Sequence, residues 1–236
     1  MANQILDIHP GYLGNQHIAD EYCFLQTVLT GHSDRATRAS AKQGLQQWPK
    51  YSWAAYHRYC WLEAELNFRG IVQQPPQTKF EKIGNENLWP ESSCTPAQQF
   101  KVISEMRIHA DTARLPIPKN AQQVWAQHKY SIMARNNNLY REMGQKVAGL
   151  KTELEFADLL DELTYILRLQ PSEGGLRNAA QHMWGHVSGN EKVDKDFVDW
   201  SLSRLLREII FRVIDQEVTY LLHSTALTEL QTWLHD

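Results

Sequence analysis

Apolar positions recur at three- and four-residue intervals through almost the whole chain, and no stretch alternates with the period of two that a half-buried strand requires. Near the N-terminus Ile18, Tyr22, Leu25 and Leu29 form one such stripe, which predicts a helix capped by Asn15. A second flank of that helix carries His17, Glu21, Phe24 and Val28, and its mixture of polar and apolar groups fits a cleft border and a core edge equally. Ala55, Tyr59, Leu62 and Leu66 predict a helix over residues 52–69, with Gly70 as its C′ residue. Pro75, Pro76, Gly84 and Pro90 make residues 71–95 a connector. Thr95 followed by Pro96 starts a helix that reaches about residue 112, and Pro116 and Pro118 then break the chain.

The second half reads as helix after helix. Asn120 opens one through residue 134, a turn at 136–138 ends it, and residues 139–148 form the next. Thr152 with Glu155 is a capping box whose helix stops before Pro171. Gly174 and Gly175 predict a turn, followed by a helix carrying Ala179, His182 and His186. A long helix is expected from near Asp194, with Phe197, Leu205, Ile209 and Val213 inward. The expected fold is all-α, with orthogonal or bundle packing of many helices and no internal repeat.

Composition narrows the function only slightly. Charged residues make up 22% and hydrophobic ones 42% of the 236 positions, as in ordinary globular chains. The net charge of -3 supplies no global attraction to nucleic acid, so any such binding must come from a local patch. Residues 1–80 carry 7 Lys/Arg against 6 Asp/Glu, whereas residues 121–236 carry 12 against 16. Within the first part Arg35, Arg38, Lys42 and Lys50 run without an intervening acid, either as a phosphate-binding patch or as a solvated face. Cys23, Cys60 and Cys94 are far apart and form no CxxC pair, so neither a disulfide framework nor a cysteine zinc site is expected. No charged leader precedes an apolar segment, and no apolar run approaches the ~18 residues of a membrane span, so the expected location is the cytoplasm, away from membranes.

Three features carry candidate chemistry. Trp48, Tyr51, Trp53, Tyr56, Tyr59 and Trp61 follow the basic run, and aromatic rings beside cations are what single strands or flipped bases stack on; the alternative is a helix core. With the basic run, His17, Trp53, His57 and Arg58 complete the candidate nucleic-acid contacts. His182 and His186 have the i, i+4 spacing of metal ligands, but Met183 occupies the zinc-protease glutamate position and no third ligand is near, so no metal is expected. His128, Lys129, Arg135, Tyr140, Arg141, Asn178 and His182 can line one anion-binding cleft or form a buried polar network. There is no Gly-rich phosphate loop and no GxSxG elbow, and no cofactor is expected.

Two stretches resemble known families. Residues 10–29, PGYLGNQHIADEYCFLQTVL, resemble the first helix of the pyrimidine-dimer DNA glycosylases (endonuclease V of a bacteriophage and its bacterial relatives): Gln16, His17, Glu21, Tyr22 and Leu25 fit. YHRYCWLEAELNFRG resembles that family's second helix, which also ends in Arg-Gly. The resemblance implies an amine nucleophile at the N-terminus, here Ala2 once Met1 is removed, forming a Schiff base at a sugar C1′. The family's catalytic glutamate falls on Phe24 and its two phosphate-holding arginines on Cys23 and Thr27, so activity is expected to be weak, altered or absent unless Glu21 substitutes.

Residues 125–149 and 178–185 resemble a bacterial YbgA-like domain of unknown function, found also fused to thiouracil desulfidases. His128, Lys129, Tyr130, Met133 and Ala134 match its first motif, Tyr140, Arg141, Met143 and Gly144 its second, and Asn178, Gln181, His182 and Gly185 its third. Members often accompany photolyase genes, which points to ultraviolet damage or nucleobase metabolism. Together the resemblances imply a glycosylase-like part over 1–80, a connector with one helix over 81–119, and the YbgA-like domain over 120–236. The expected function is a DNA-repair-related protein that binds damaged or distorted DNA. An enzyme or sensor for a modified nucleobase or other small anion, and a purely structural interaction module, are the alternatives.

Overall fold

The computed structural model describes residues 5–30, 51–71, 88–91, 94–107, 112–189 and 200–234. Ala2, Arg35, Arg38, Lys42, Lys50, Trp48, Asp194 and Phe197 lie outside the described residues, as do Pro75, Pro76 and Gly84. Every described element is helical, with no strand among the described residues, so the fold is all-α. None of the described helices is long and apolar enough to cross a membrane. The chain divides into two compact units, Met1–Ala113 and Arg114–Asp236.

In the first unit a 3-10 turn at Pro10–Tyr12 leads into α1 (Asn15–Thr30), α2 (Ser52–Phe68) and α3 (Pro96–Arg107). α1 packs along α2 because their apolar stripes meet: Ile18, Tyr22 and Leu25 on one side and Ala55, Tyr59, Leu62 and Leu66 on the other are buried. α2 ends as its sequence predicts, with Gly70 in the left-handed region at a φ of 69°. Asn15, expected to cap α1, is instead its first residue, and the Gly14 carbonyl accepts from Ile18 N–H. The Asn15 side chain is used elsewhere: its Oδ1 accepts from Arg69 Nη1 at 2.9 Å. Arg69 also donates to the Leu13 carbonyl at 2.9 Å and pairs with Glu65 at 2.9 Å, tying the N-terminal loop to the end of α2.

The second unit contains α4 (Ala121–Arg135), α5 (Asn137–Val147), α6 (Glu153–Leu167), α7 (Glu173–Val187), α8 (Leu202–Asp215), α9 (Thr219–Leu222), α10 (Ala226–Glu229) and a 3-10 turn at Leu230–Trp233. α4 is the central element and packs against α5, α6, α7 and α10, which explains why Val124, Tyr130, Ile132, Met133 and Ala134 are all buried. The break after α4 is tighter than the expected three-residue turn. Asn136 alone ends α4 and caps α5, its side chain accepting from Asn138 N–H at 2.9 Å and Leu139 N–H at 3.1 Å. The Thr152–Glu155 capping box starts α6 as predicted.

Two expected boundaries move. Gly174 and Gly175 do not form a turn but lie in the first turn of α7, because Ser172 caps the helix through Gly175 N–H. α8 begins at Leu202 rather than near Asp194, since the Ser201 hydroxyl accepts from Arg204 N–H at 3.2 Å. Leu205, Ile209 and Val213 face inward on α8 as its periodicity requires.

Candidate functional site

α1 turns Glu21 inward onto α2. Its Oε1 accepts from Arg58 Nε at 2.7 Å and its Oε2 from Nη2 at 3.1 Å, while Nη1 of the same guanidinium donates to the Ile8 carbonyl at 2.6 Å. Arg58 is 0% and Glu21 4% exposed, so the pair is an interior one whose bidentate geometry offsets the desolvation of both charges. His17 Nε2 stands 3.8 Å from Glu21 Oε2, too far for a hydrogen bond. Burial lowers the His17 pKa, with Glu21 opposing the shift and Arg58 adding to it. Glu21, the candidate substitute for the missing catalytic carboxylate, therefore has Arg58 as its partner. Arg58, expected at a phosphate, is inside the unit. Glu21, Tyr22 and Leu25, which fit the glycosylase helix, are all buried, whereas Cys23 is exposed and Phe24 half-buried.

Trp53, Tyr59 and Trp61 of the aromatic segment are buried in the core of the same unit, and Tyr51 and Tyr56 are half-buried. Trp53 stacks on His57 with ring centroids 5.2 Å apart, and His57 meets Trp61 edge-on at 4.9 Å. Trp53 and His57, expected among the DNA contacts, are 3% and 5% exposed, so neither ring offers a face to a base in this conformation. Tyr22 and Tyr59 stack at 4.6 Å and share a hydroxyl–hydroxyl contact of 2.5 Å. Burial pushes the Cys60 thiol up to about 12, which keeps it protonated and unreactive.

In the second unit two of the expected ligand residues are structural. Arg135 donates through Nε to the Leu169 carbonyl at 2.6 Å, through Nη1 to the Ser131 carbonyl at 2.9 Å, and through Nη2 to Glu229 Oε1 at 2.7 Å. Glu229 is 0% exposed and also accepts from Trp233 Nε1 at 2.6 Å. This pair joins the end of α4 to α10 and to the C-terminal 3-10 turn.

His128 is buried, its Nδ1–H donating to the Val124 carbonyl at 2.8 Å, and burial pushes its pKa down to about 4. The unfolded chain takes up this proton near pH 6.5, while the folded chain refuses it until about 4. His128 therefore makes stability fall as pH drops through that window, by at most ~1.4 kcal/mol per pH unit. Urea midpoints measured across the window should fall more steeply for the wild type than for His128→Gln, and parallel lines would contradict a neutral interior imidazole.

The remaining members sort differently. Lys129 is half-buried, with its Nζ 4.8 Å from the Tyr130 ring centroid and 4.9 Å from that of Tyr220. Tyr130 Oη lies 2.6 Å from His186 Nε2, joining α4 to α7. Burial, then the neighbouring Tyr220, raises the Tyr130 pKa; burial, then Lys129 and His182, lowers that of His186. At neutral pH the phenol thus keeps its proton and the imidazole is neutral, and the hydrogen bond between them occupies Nε2 of His186. His182 is exposed one turn before His186, and Asn178 one turn before that, half-buried on the same flank of α7. Tyr140 packs on Trp125 at 5.5 Å, and Arg141 is exposed with no hydrogen bond or ion pair among the described residues. The structure thus gathers Lys129 and His182 with Tyr130, His186 and Tyr220. His186 was marked by its spacing from His182 and Tyr130 by the HKY triplet, but Tyr220 carried no sequence signal. No group of three His, Cys, Asp or Glu able to hold a metal occurs among the described residues.

These features define an all-α protein of two units, the first holding buried Arg–Glu pairs and the second a cluster of lysine, histidine and tyrosine at the edge of its central helix. Residues 129–229 match a protein family of unknown function (DUF1722), which supports the YbgA-like resemblance of the C-terminal part. No curated protein and no solved structure matches the chain.

Proposed function

We propose that the chain is a DNA-repair-related nucleic-acid-binding protein whose first unit keeps the scaffold of a pyrimidine-dimer glycosylase without its chemistry. One observation carries this reading. Of the five α1 positions that fit the glycosylase helix, Glu21, Tyr22 and Leu25 are buried and so support the helix pairing, while Gln16 is exposed and His17 half-buried; the departing positions Cys23 and Phe24 are exposed and half-buried. Glu21 does not replace the missing acid, because both of its oxygens are held by Arg58. Withdrawing it would leave a buried, unpaired guanidinium at a cost of roughly 3–5 kcal/mol. Without a carboxylate to balance cationic charge at the sugar, the rate falls by about 10²–10⁴. Phosphate contact is assigned to Arg35, Arg38, Lys42 and Lys50, since Arg58, Trp53 and His57 are interior.

The reading has two measurable parts. In low salt the protein should retard ultraviolet-irradiated DNA more than undamaged DNA, and equal or absent retardation would remove the repair role. Borohydride reduction on an abasic-site duplex should give no covalent adduct. An adduct that requires a free Ala2 amine would restore the glycosylase/lyase assignment.

A further inference from the structure

We infer that Lys129, His182, His186 and Tyr220 form a binding site for a phosphate group, carried by a small phosphomonoester or free in solution. This rests on the second unit alone and is independent of the nucleic-acid reading.

The first observation is an uncompensated cation. Lys129 is half-buried, its stem along α4 and its ammonium within reach of solvent. Among the described residues Lys129 makes no ion pair; its ammonium sits instead against the faces of Tyr130 and Tyr220, at 4.8 and 4.9 Å. Two aromatic faces hold the charge in place without neutralising it. The second observation is direction. The Tyr130 hydroxyl occupies His186 Nε2 at 2.6 Å, so Nδ1 is the ring nitrogen left for a ligand. His182 stands one turn away on the same flank of α7, and the Tyr220 ring lies 5.1 Å from that of His186. These groups come from α4, α7 and α9, the Tyr220 hydroxyl also hydrogen-bonding Tyr130, and no carboxylate pairs with Lys129, His182 or His186 among the described residues.

An ammonium with no carboxylate partner, beside hydroxyl and imidazole groups that can donate, favours an anion. A metal ion is disfavoured because His186 Nε2 is already occupied and a positive ammonium stands beside it. Lys129, Tyr130, His182, His186 and Tyr220 all fall within the span that matches the family of unknown function.

The test follows the histidine ring signals of the full chain by NMR during titration with inorganic phosphate, phenyl phosphate and acetate at constant ionic strength. Both phosphates should give saturable shifts at His182 and His186, with acetate binding far more weakly. Tighter binding of phenyl phosphate would identify an esterified ligand, and equal affinity free phosphate. Lys129→Met should weaken binding about tenfold, as expected for losing one charge-assisted hydrogen bond. The exposed His182→Gln, which does not challenge the fold, should weaken it by a smaller factor. Lys146→Met, which removes a surface lysine paired with Glu162 at 2.9 Å, should leave it unchanged. Linear, non-saturating shifts, or an unchanged affinity in both Lys129→Met and His182→Gln, would overturn the assignment.

Discussion

Arg135→Met is expected to lower the stability of the second unit by about 3–5 kcal/mol, because it strands Glu229 as a buried carboxylate without its cation. Glu229 is 0% exposed and would keep only the Trp233 indole as a neutral donor. The substitution also releases the carbonyls of Ser131 and Leu169, which the guanidinium satisfies at 2.9 and 2.6 Å. Glu229→Gln leaves the complementary error, a buried guanidinium facing a neutral amide, and should cost a comparable amount. The double variant Arg135→Met/Glu229→Gln removes both charges, so its loss should be well below the sum of the two single losses. Urea unfolding followed by tryptophan fluorescence reads this directly, since Trp233 is bonded to Glu229. A loss under about 1 kcal/mol for Arg135→Met would mean that the pair behaves like a solvated one. The result bears on function as well as folding. A guanidinium so committed is not free to hold a ligand, which removes Arg135 from the anion site that its motif invites.

The helices were legible because periodicity is a local signal. The stripe Ala55, Tyr59, Leu62 and Leu66 is buried throughout, and the caps at Asn120 and Thr152 sit where short-range chemistry requires them. The two displaced boundaries have a different origin. Gly174 and Gly175 carry a turn signal locally, yet a serine cap and a close helix crossing hold them in α7. The site was only half legible. His128, Lys129 and Arg135 fall on one helix within eight residues, and sequence alone does not say which of them packs inward. Arg135 meets a glutamate 94 residues away, Arg58 one 37 residues away and Tyr130 a histidine 56 residues away. Such partners are fixed by tertiary packing and leave no periodic trace. The YbgA-like motifs marked the α4 and α7 stretches without saying which of their residues would meet. In the first unit, Glu21, Tyr22 and Leu25 are buried against α2, so their presence in the sequence is accounted for by packing alone.

Gly175→Ala should be the most damaging single-methyl change in the second unit. A Cβ built on Gly175 would lie 1.9 Å from the Ala134 carbonyl oxygen and 2.9 Å from its carbon. Both atoms are backbone, so no rotamer change makes room, and α7 must move away from α4. That movement withdraws Ala179 and Met183, each 0% exposed, from the buried face of α7, and a loss of about 3 kcal/mol is expected, at the upper end of overpacking costs. The neighbouring glycine supplies the control. A Cβ on Gly174 meets nothing within 4 Å, and Gly174→Ala should stabilise the same helix by about 0.4–1 kcal/mol through reduced freedom of the unfolded chain. Opposite signs at adjacent positions of one helical turn separate steric contact from helix propensity, which would move both variants the same way. The displacement should also lengthen the Tyr130–His186 hydrogen bond, 2.6 Å in the native packing, and so free His186 to exchange its ring proton between nitrogens. A folded Gly175→Ala protein should therefore show an altered His186 tautomer in its ring nitrogen shifts, while Gly174→Ala retains the native one. If both variants unfold at the wild-type midpoint, the close crossing of α4 and α7 at Ala134 is wrong, and the placement of His186 against Tyr130 loses its support.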